Sequence, residues 1–334
     1  MAACDVGEPG TSDADTRGTD QDGRLGDGGD IVTVGDAETE IPEMLSDLPL
    51  AGPARQIAIG ASHSCVLLES GDVHCWGSNL YGELGYGNEN SIGDAGDSGP
   101  ISLGAPATQI AAGSLFTCAL LETKQVRCWG TAVSGRLGYG QPGDVGDNEV
   151  PDDIDPVDVG GNVLQIATGD THACALLEGG DVVCWGDRDA HGHPEIDTDI
   201  GNDETPASVG PVDLGSAAKQ IIAGSGMSCA LLESGSVRCW GDLMAAESGA
   251  LGYGGEYPVG DDETPRDAGT LMLGGDVDFI SAGGASRSHS CVKLVNGEVH
   301  CWGANSGAQL GLGHTEDIGD DEEPDTEDQV RILD

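Results

Sequence analysis

Ten of the eleven cysteines in this 334-residue chain fall into five evenly spaced pairs. They are Cys65 with Cys75, Cys118 with Cys128, Cys174 with Cys184, Cys229 with Cys239, and Cys291 with Cys301. Thiols at this spacing have three chemistries open to them: oxidation to disulfides in an exported protein, burial as small apolar groups, or metal binding as thiolates. The closely spaced ligand pairs that favour zinc or a cluster are absent. Each second cysteine is followed by Trp-Gly, so the pairs take up all five tryptophans as well. The eleventh cysteine stands apart, in Ala2-Ala3-Cys4. That tripeptide is similar to the end of a bacterial lipoprotein signal, in which the cysteine is lipidated. The apolar segment that should precede it is missing, which places the true start further upstream. A free thiol after a chance Ala-Ala is the competing reading.

Carboxylates supply a second candidate chemistry. A loop recurs as Val34-GDAE, Ile92-GDAG, Val145-GDNE, Ile200-GNDE, Val259-GDDE and Ile318-GDDE, each followed shortly by proline. Loops that gather two or three carboxylates suit a hard cation such as calcium. Asp147, Glu149, Asp261, Asp262, Asp320 and Asp321 are the candidate ligands. Glycine and aspartate also make ordinary solvated turns, and no copy has the ligand spacing of a recognised calcium loop. Both readings stand, and no other cofactor is implied.

The histidines point mostly to packing. His63, His172 and His289 lie two residues before a first cysteine, where other copies carry Phe116 and Met227. A position that accepts Phe or Met is a packing position. His74 and His300 share a place with Arg127, Val183 and Arg238, which predicts an exposed, tolerant face. His191 and His193 form the one local HxH, beside Asp187, Asp189 and Glu195; a surface loop is expected there, with zinc or copper as the sharper alternative. No GxSxG, GxxxxGK[ST] or HExxH motif occurs, and no catalytic residue is assigned.

The elements that must position these residues can be read from one copy. Apolar residues flank Glu69-Ser70-Gly71, which predicts a hairpin with a three-residue loop closed by a left-handed glycine. Counting outward from the turn, Cys65 and Cys75 face each other as a non-hydrogen-bonded pair. Such pairs bring Cα atoms to about 4.5 Å, within reach of a cross-strand disulfide. Trp76 then points to the opposite face and packs against a neighbouring unit.

The first cysteines lie 53 to 62 residues apart, a period typical of propellers and solenoids. Upstream of each hairpin comes a short strand, as in Gln109-IAAG and Gln165-IATG, and before it a further β-like piece such as Pro156-VDVG. Four short strands per unit with glycine-rich turns predict an all-β propeller of about five four-stranded blades over residues 24–334. Residues 1–23 read as a disordered acidic tether. Half units open the domain (Gly23 to Pro42) and close it (Gln329-VRILD), and pairing of the two would remove exposed edges.

The string QIAAGSLFTCALLETKQVRCWG, with the Gly-x-Leu-Gly-x-Gly segments at Gly82 and Gly135, resembles the regulator-of-chromosome-condensation repeat. That resemblance implies a β-propeller, commonly of seven blades, where only five complete hairpins are present here. It also brings nucleotide exchange on a small GTPase as a function of the family's eukaryotic namesake. The cysteine pattern and a net charge of −46 argue against that activity and against binding nucleic acid. No apolar run is long enough to span a membrane. The expectation is an extracytoplasmic, non-catalytic scaffold at the cell envelope, in the periplasm or secreted, anchored through Cys4 and binding a protein or glycan. Contacts would come from the insertions Leu243-MAAES and Asp187-RDAHGHPE; the alternative is a propeller-type lyase or hydrolase with a site built from loops.

Overall fold

The computed structural model describes residues 48–283, 288–325 and Val330, with the backbone of β1 (Gly18–Thr19) and β2 (Thr33–Val34), which pair with each other. Apart from Gly18–Thr19, the tether expected over residues 1–23, with Cys4, lies outside the described residues, and so does most of the opening half unit. Five antiparallel sheets follow, one per cysteine pair. They are β3 (Ala54–Ile59), β4 (His63–Leu68) and β5 (Val73–Gly77); β6 (Ala107–Ala112), β7 (Phe116–Leu121) and β8 (Val126–Gly130); β9 (Val163–Thr168), β10 (His172–Leu177) and β11 (Val182–Gly186); β12 (Ala218–Gly224), β13 (Met227–Leu232) and β14 (Val237–Gly241); and β15 (Val277–Gly283), β16 (His289–Leu294) and β17 (Val299–Gly303). The described residues form two compact units: 48–133 with 141–157 hold the first two sheets, and 134–140 with 158–330 hold the other three.

In every sheet the middle strand is the one that starts at the His, Phe or Met position. With neighbours on both edges and layers on both faces, β4, β7 and β13 are buried along their whole length. The hairpin register is the expected one. Cys65 lies opposite Cys75, and the Leu68 amide donates to the Asp72 carbonyl at 2.9 Å while Gly71 closes the turn at φ 89°. The second hairpin closes its turn without glycine, holding Lys124 at φ 67°.

The blades have three strands, not four. The segment expected to be the fourth strand makes one ladder bond to the preceding hairpin and then leaves in the first four sheets: Ile101 donates to Val73, Val157 to Val126, Val212 to Val182 and Leu271 to Val237, at 2.8 to 2.9 Å; in the fifth, Val330 donates to Val299 at 3.1 Å. A proline or a glycine-rich turn flanks these segments on either side, as Pro100, Gly104, Pro156 and Gly160 show. With a donor missing at one end and a turn at the other, a longer ladder cannot form. The bond from Val330 shows that the closing half unit supplies this outer contact to its own sheet.

Candidate functional site

Most of the repeated side chains are spent on joining consecutive sheets. Within the first unit, the His63 Nε2 lies 2.7 Å from the Thr117 hydroxyl, and Gln56 both donates to and accepts from the Ile110 backbone. In the second unit, His172 meets Ser228 at 2.7 Å, and Gln165 and Gln220 clamp Ile221 and Ile280. Tryptophan indoles donate to the carbonyls of Glu83, Arg136 and Ala250, in each case the residue before Leu in a Gly-x-Leu-Gly segment or its variant. Burial pushes the imidazoles of His63 and His172 down to about 4, so both stay neutral. The packing role expected for His63 and His172 holds.

The five cysteine pairs are disulfides, with Cα atoms 4.0 to 4.1 Å apart. Eight of the ten cysteines are fully buried. Bridges of this kind persist in an oxidising environment.

Two histidine expectations are corrected. His74 and His300 are buried rather than exposed, because the segment leaving each hairpin folds over the outer strand. His74 lies 3.0 Å from the Ser98 carbonyl, while at the same place Arg127 donates to the carbonyls of Pro151 and Ile154 and Arg238 to that of Pro265. His191 and His193 are buried too, in the places that Leu84 and Tyr86 occupy in the first repeat. The His191 Nε2 bonds the Thr198 carbonyl and its Nδ1 accepts from the His193 amide, which leaves no lone pair for a metal. The shorter His193 ring does not reproduce the tyrosine contact, and its Nε2 is buried without a partner. In other repeats the Tyr86 and Tyr253 hydroxyls bond the backbone of the second cysteine.

The acidic loops are placed by glycine. Gly82 stands at φ 77°, and a β-carbon there would lie 2.4 Å from the Asp147 amide nitrogen; Gly249 relates in the same way to Ile318 and Asp320. The acidic loops that begin at Val145, Ile200 and Ile318 thus close onto the Gly-x-Leu-Gly segment, or its variant, of the repeat before them. Ligand oxygens of Asp261, Asp262 and Glu263 lie within 4.8 Å of one another, and so do those of Asp320, Asp321 and Glu322. The latter trio borders an open depression of about 720 Å³ that His314 and Glu316 also line. Partial burial and the adjoining aspartates push Glu263 and Glu322 up to about 7, and Glu149 is raised for the same reasons. One carboxylate oxygen each on Asp147, Glu204 and Asp320 is buried without a hydrogen-bond partner. The sequence reading missed Glu263 and Glu322, although the fourth letter of the same GDDE string marks them. It also missed Glu83, fully buried with one oxygen unpartnered and its carboxyl raised by burial and by Asp144.

The two insertions expected to carry contacts lie near each other. After the four-residue helix α1 (Pro206–Val209), Leu243–Glu247 forms a one-turn helix, α2, capped by Asp242, whose carboxyl is raised by burial and by the nearby charges of Asp187 and Asp189. Leu243 and Met244 on this turn are 51% and 69% exposed.

Residues 54–83, 107–136 and 163–192 match the Regulator of chromosome condensation (RCC1) repeat, and a second description of the same repeat matches residues 70–120. The chain carries RCC1 repeats. Among curated proteins this RCC1-repeat chain is 29% identical over 292 residues to the Ultraviolet-B receptor UVR8 of Arabidopsis thaliana, covering 82% of this chain and 59% of UVR8. It is 28% identical to the human E3 ubiquitin-protein ligase HERC2, covering 89% of this chain and 6% of HERC2. The chain thus spans at most about three fifths of the length of these relatives. Among solved structures, human WBSCR16 aligns with a TM-score of 0.71 at 21% identity, over 95% of this chain and 75% of that one. Prp20p of Saccharomyces cerevisiae, described with its binding properties to Gsp1p and histones, aligns at 0.61 and 22%, over 84% and 63%. These likenesses show an RCC1-like propeller fold. Among the described residues, no helix is long and apolar enough to cross a membrane.

Proposed function

We propose that this RCC1-repeat protein is an extracytoplasmic, non-catalytic scaffold that binds a protein or glycan through loops inserted between its repeats. The observation that carries this reading is the division of labour among side chains. The repeated His, Gln and Trp residues are consumed in joining sheets and the Cys residues in stapling single hairpins, while α2 holds two large apolar side chains in solvent beside the Asp187 loop. Apolar surface kept exposed on a capped, ordered turn is the usual mark of a contact site. The five disulfides support an oxidising compartment, and lipidation at Cys4 would hold the protein at the envelope. The protein binding described for Prp20p agrees with a scaffold. The non-catalytic reading draws support from His191, both of whose ring nitrogens are engaged, so this histidine offers a loop-built lyase or hydrolase site neither base nor ligand.

The acidic loops carry a second reading, calcium binding, for which the observation is the partnerless buried oxygen on Asp147, Glu204 and Asp320. A buried carboxylate oxygen without a donor is costly, and a divalent cation would satisfy it.

A pull-down from envelope fractions tests both readings, using wild type and the Leu243→Ser, Met244→Ser double variant, each with calcium and with chelator. The expected result is a partner retained by wild type and lost by the double variant at unchanged thermal stability. Loss of that partner under chelation is the result expected of calcium loops. Equal capture by both proteins would remove α2 from the contact surface.

A further inference from the structure

One disulfide differs from the other four in its surroundings. The cysteines of the first four bridges are fully buried, whereas Cys301 is 7% exposed and Cys291 is more open still. The cause is visible in the residues around them. In the first and third sheets the bridge faces a hydroxyl of the following sheet, with Cys65 Sγ 3.8 Å from Thr117 and Cys174 Sγ 3.4 Å from Ser228. Around the fifth hairpin the flanking side chains depart from the pattern of the other four. Leu67, Leu120, Leu176 and Leu231, two residues beyond the first cysteine, are buried; the fifth copy has Lys293, paired in solvent with Asp278 at 2.6 Å. The clamping glutamine of the earlier repeats is replaced by Phe279, 53% exposed. Ser281, directly opposite Cys291 on β15, is exposed as well.

We propose that the Cys291–Cys301 disulfide is a reduction site, open in the folded protein to a dithiol, while the other four bridges are closed to it. Thiol–disulfide exchange requires a thiolate to approach one sulfur in line with the S–S bond, so access governs the rate. The dithiol's thiolate attacks Sγ of Cys291, the more open residue of the pair, forming a mixed disulfide and expelling the Cys301 thiolate. The second thiolate of the reductant then attacks its own sulfur in the mixed disulfide, leaves as an intramolecular disulfide and expels the Cys291 thiolate. Both protein thiolates take protons from water. The protein gains two electrons and the dithiol is oxidised. Four buried bridges remain, so the hairpin β16–β17 loses its crosslink while the earlier sheets keep theirs.

The experiment uses the native full chain. Any free thiol is first blocked with N-ethylmaleimide, dithiothreitol is then added in excess, and samples are quenched with iodoacetamide at intervals for peptide mapping. Cys291 and Cys301 are expected to label first, about tenfold or more ahead of the other eight cysteines. Simultaneous labelling of all ten, or another pair leading, overturns the proposal. A repeat in sub-denaturing urea separates direct access from local opening, because attack on an exposed bridge is insensitive to denaturant and attack through unfolding is not. A rate that climbs steeply with urea also overturns it, and a flat rate is the expected result.

Discussion

His172 is neutral because it is buried, and its ring is held by Ser228, so the residue couples the joint between two sheets to pH. Its folded pKa of about 4 lies below the value near 6.5 of an unfolded histidine. Between those two values the unfolded chain takes up a proton that the folded chain refuses. Stability is therefore complete above about pH 6.5 and is lost as pH falls toward 4. His63 and His191 are lowered to about 4 as well and act in the same direction. In a His172→Phe variant, Ser228 loses its partner, which costs about 1 kcal/mol at pH 8, while the acid decline becomes shallower by one titrating group. Urea melts at several pH values measure both effects. An unchanged acid slope would show that His172 is not the excluded proton site. The same position accepts Phe116 in the second sheet, which made its packing role readable in sequence; the orphaned Nε2 of His193 was not readable, because it depends on how far a ring reaches across a gap.

At the scale of elements, the Gly-x-Leu-Gly turn is the piece that sets the acidic loop in place. Gly82 combines a left-handed φ with a backbone neighbour 2.4 Å from any added β-carbon, and the contact is with backbone that cannot swing aside. Gly82→Val is expected to cost about 2 to 4 kcal/mol. Gly99→Ala, where nothing lies within 4 Å, should stay within about 0.5 kcal/mol of wild type. Chemical denaturation of the two variants checks this, and equal stability would contradict the packing described for the turn. Hairpin register was legible in advance because turn length and a period of two leave it no freedom. Strand number was not, since a Pro-flanked segment such as residues 100–103 has strand-like composition yet makes a single ladder bond.

The whole molecule carries a net charge of −46, and its compact state works against that repulsion. Raising sodium chloride from roughly 10 mM to roughly 0.5 M should raise the Tm, because it shortens the screening length several-fold. If the acidic loops hold calcium, millimolar calcium should raise the Tm beyond sodium chloride of matched ionic strength. The predicted sign has a local cause, because a bound cation would offset the partial burial and the neighbouring aspartates that together raise Glu263 and Glu322 to about 7. Matched curves for the two salts would reduce the loops to solvated turns. A flat response to sodium chloride would mean that the surface charge is too dispersed to matter.

Sequence alone determined the repeat, the hairpin and its disulfide register, since these follow from local spacing and from turn chemistry that no distant residue can change. It also showed that Trp and Cys belong to a structural unit, because each recurs at one place in every copy. Tertiary structure decided burial. It put His74, His191 and His193 inside, brought the Asp187 loop beside α2, added Glu263 and Glu322 to the acidic trios, and left the Cys291–Cys301 bridge open. Burial depends on what the next segment covers, and covering is a relation between residues distant in sequence, which spacing within one repeat cannot express.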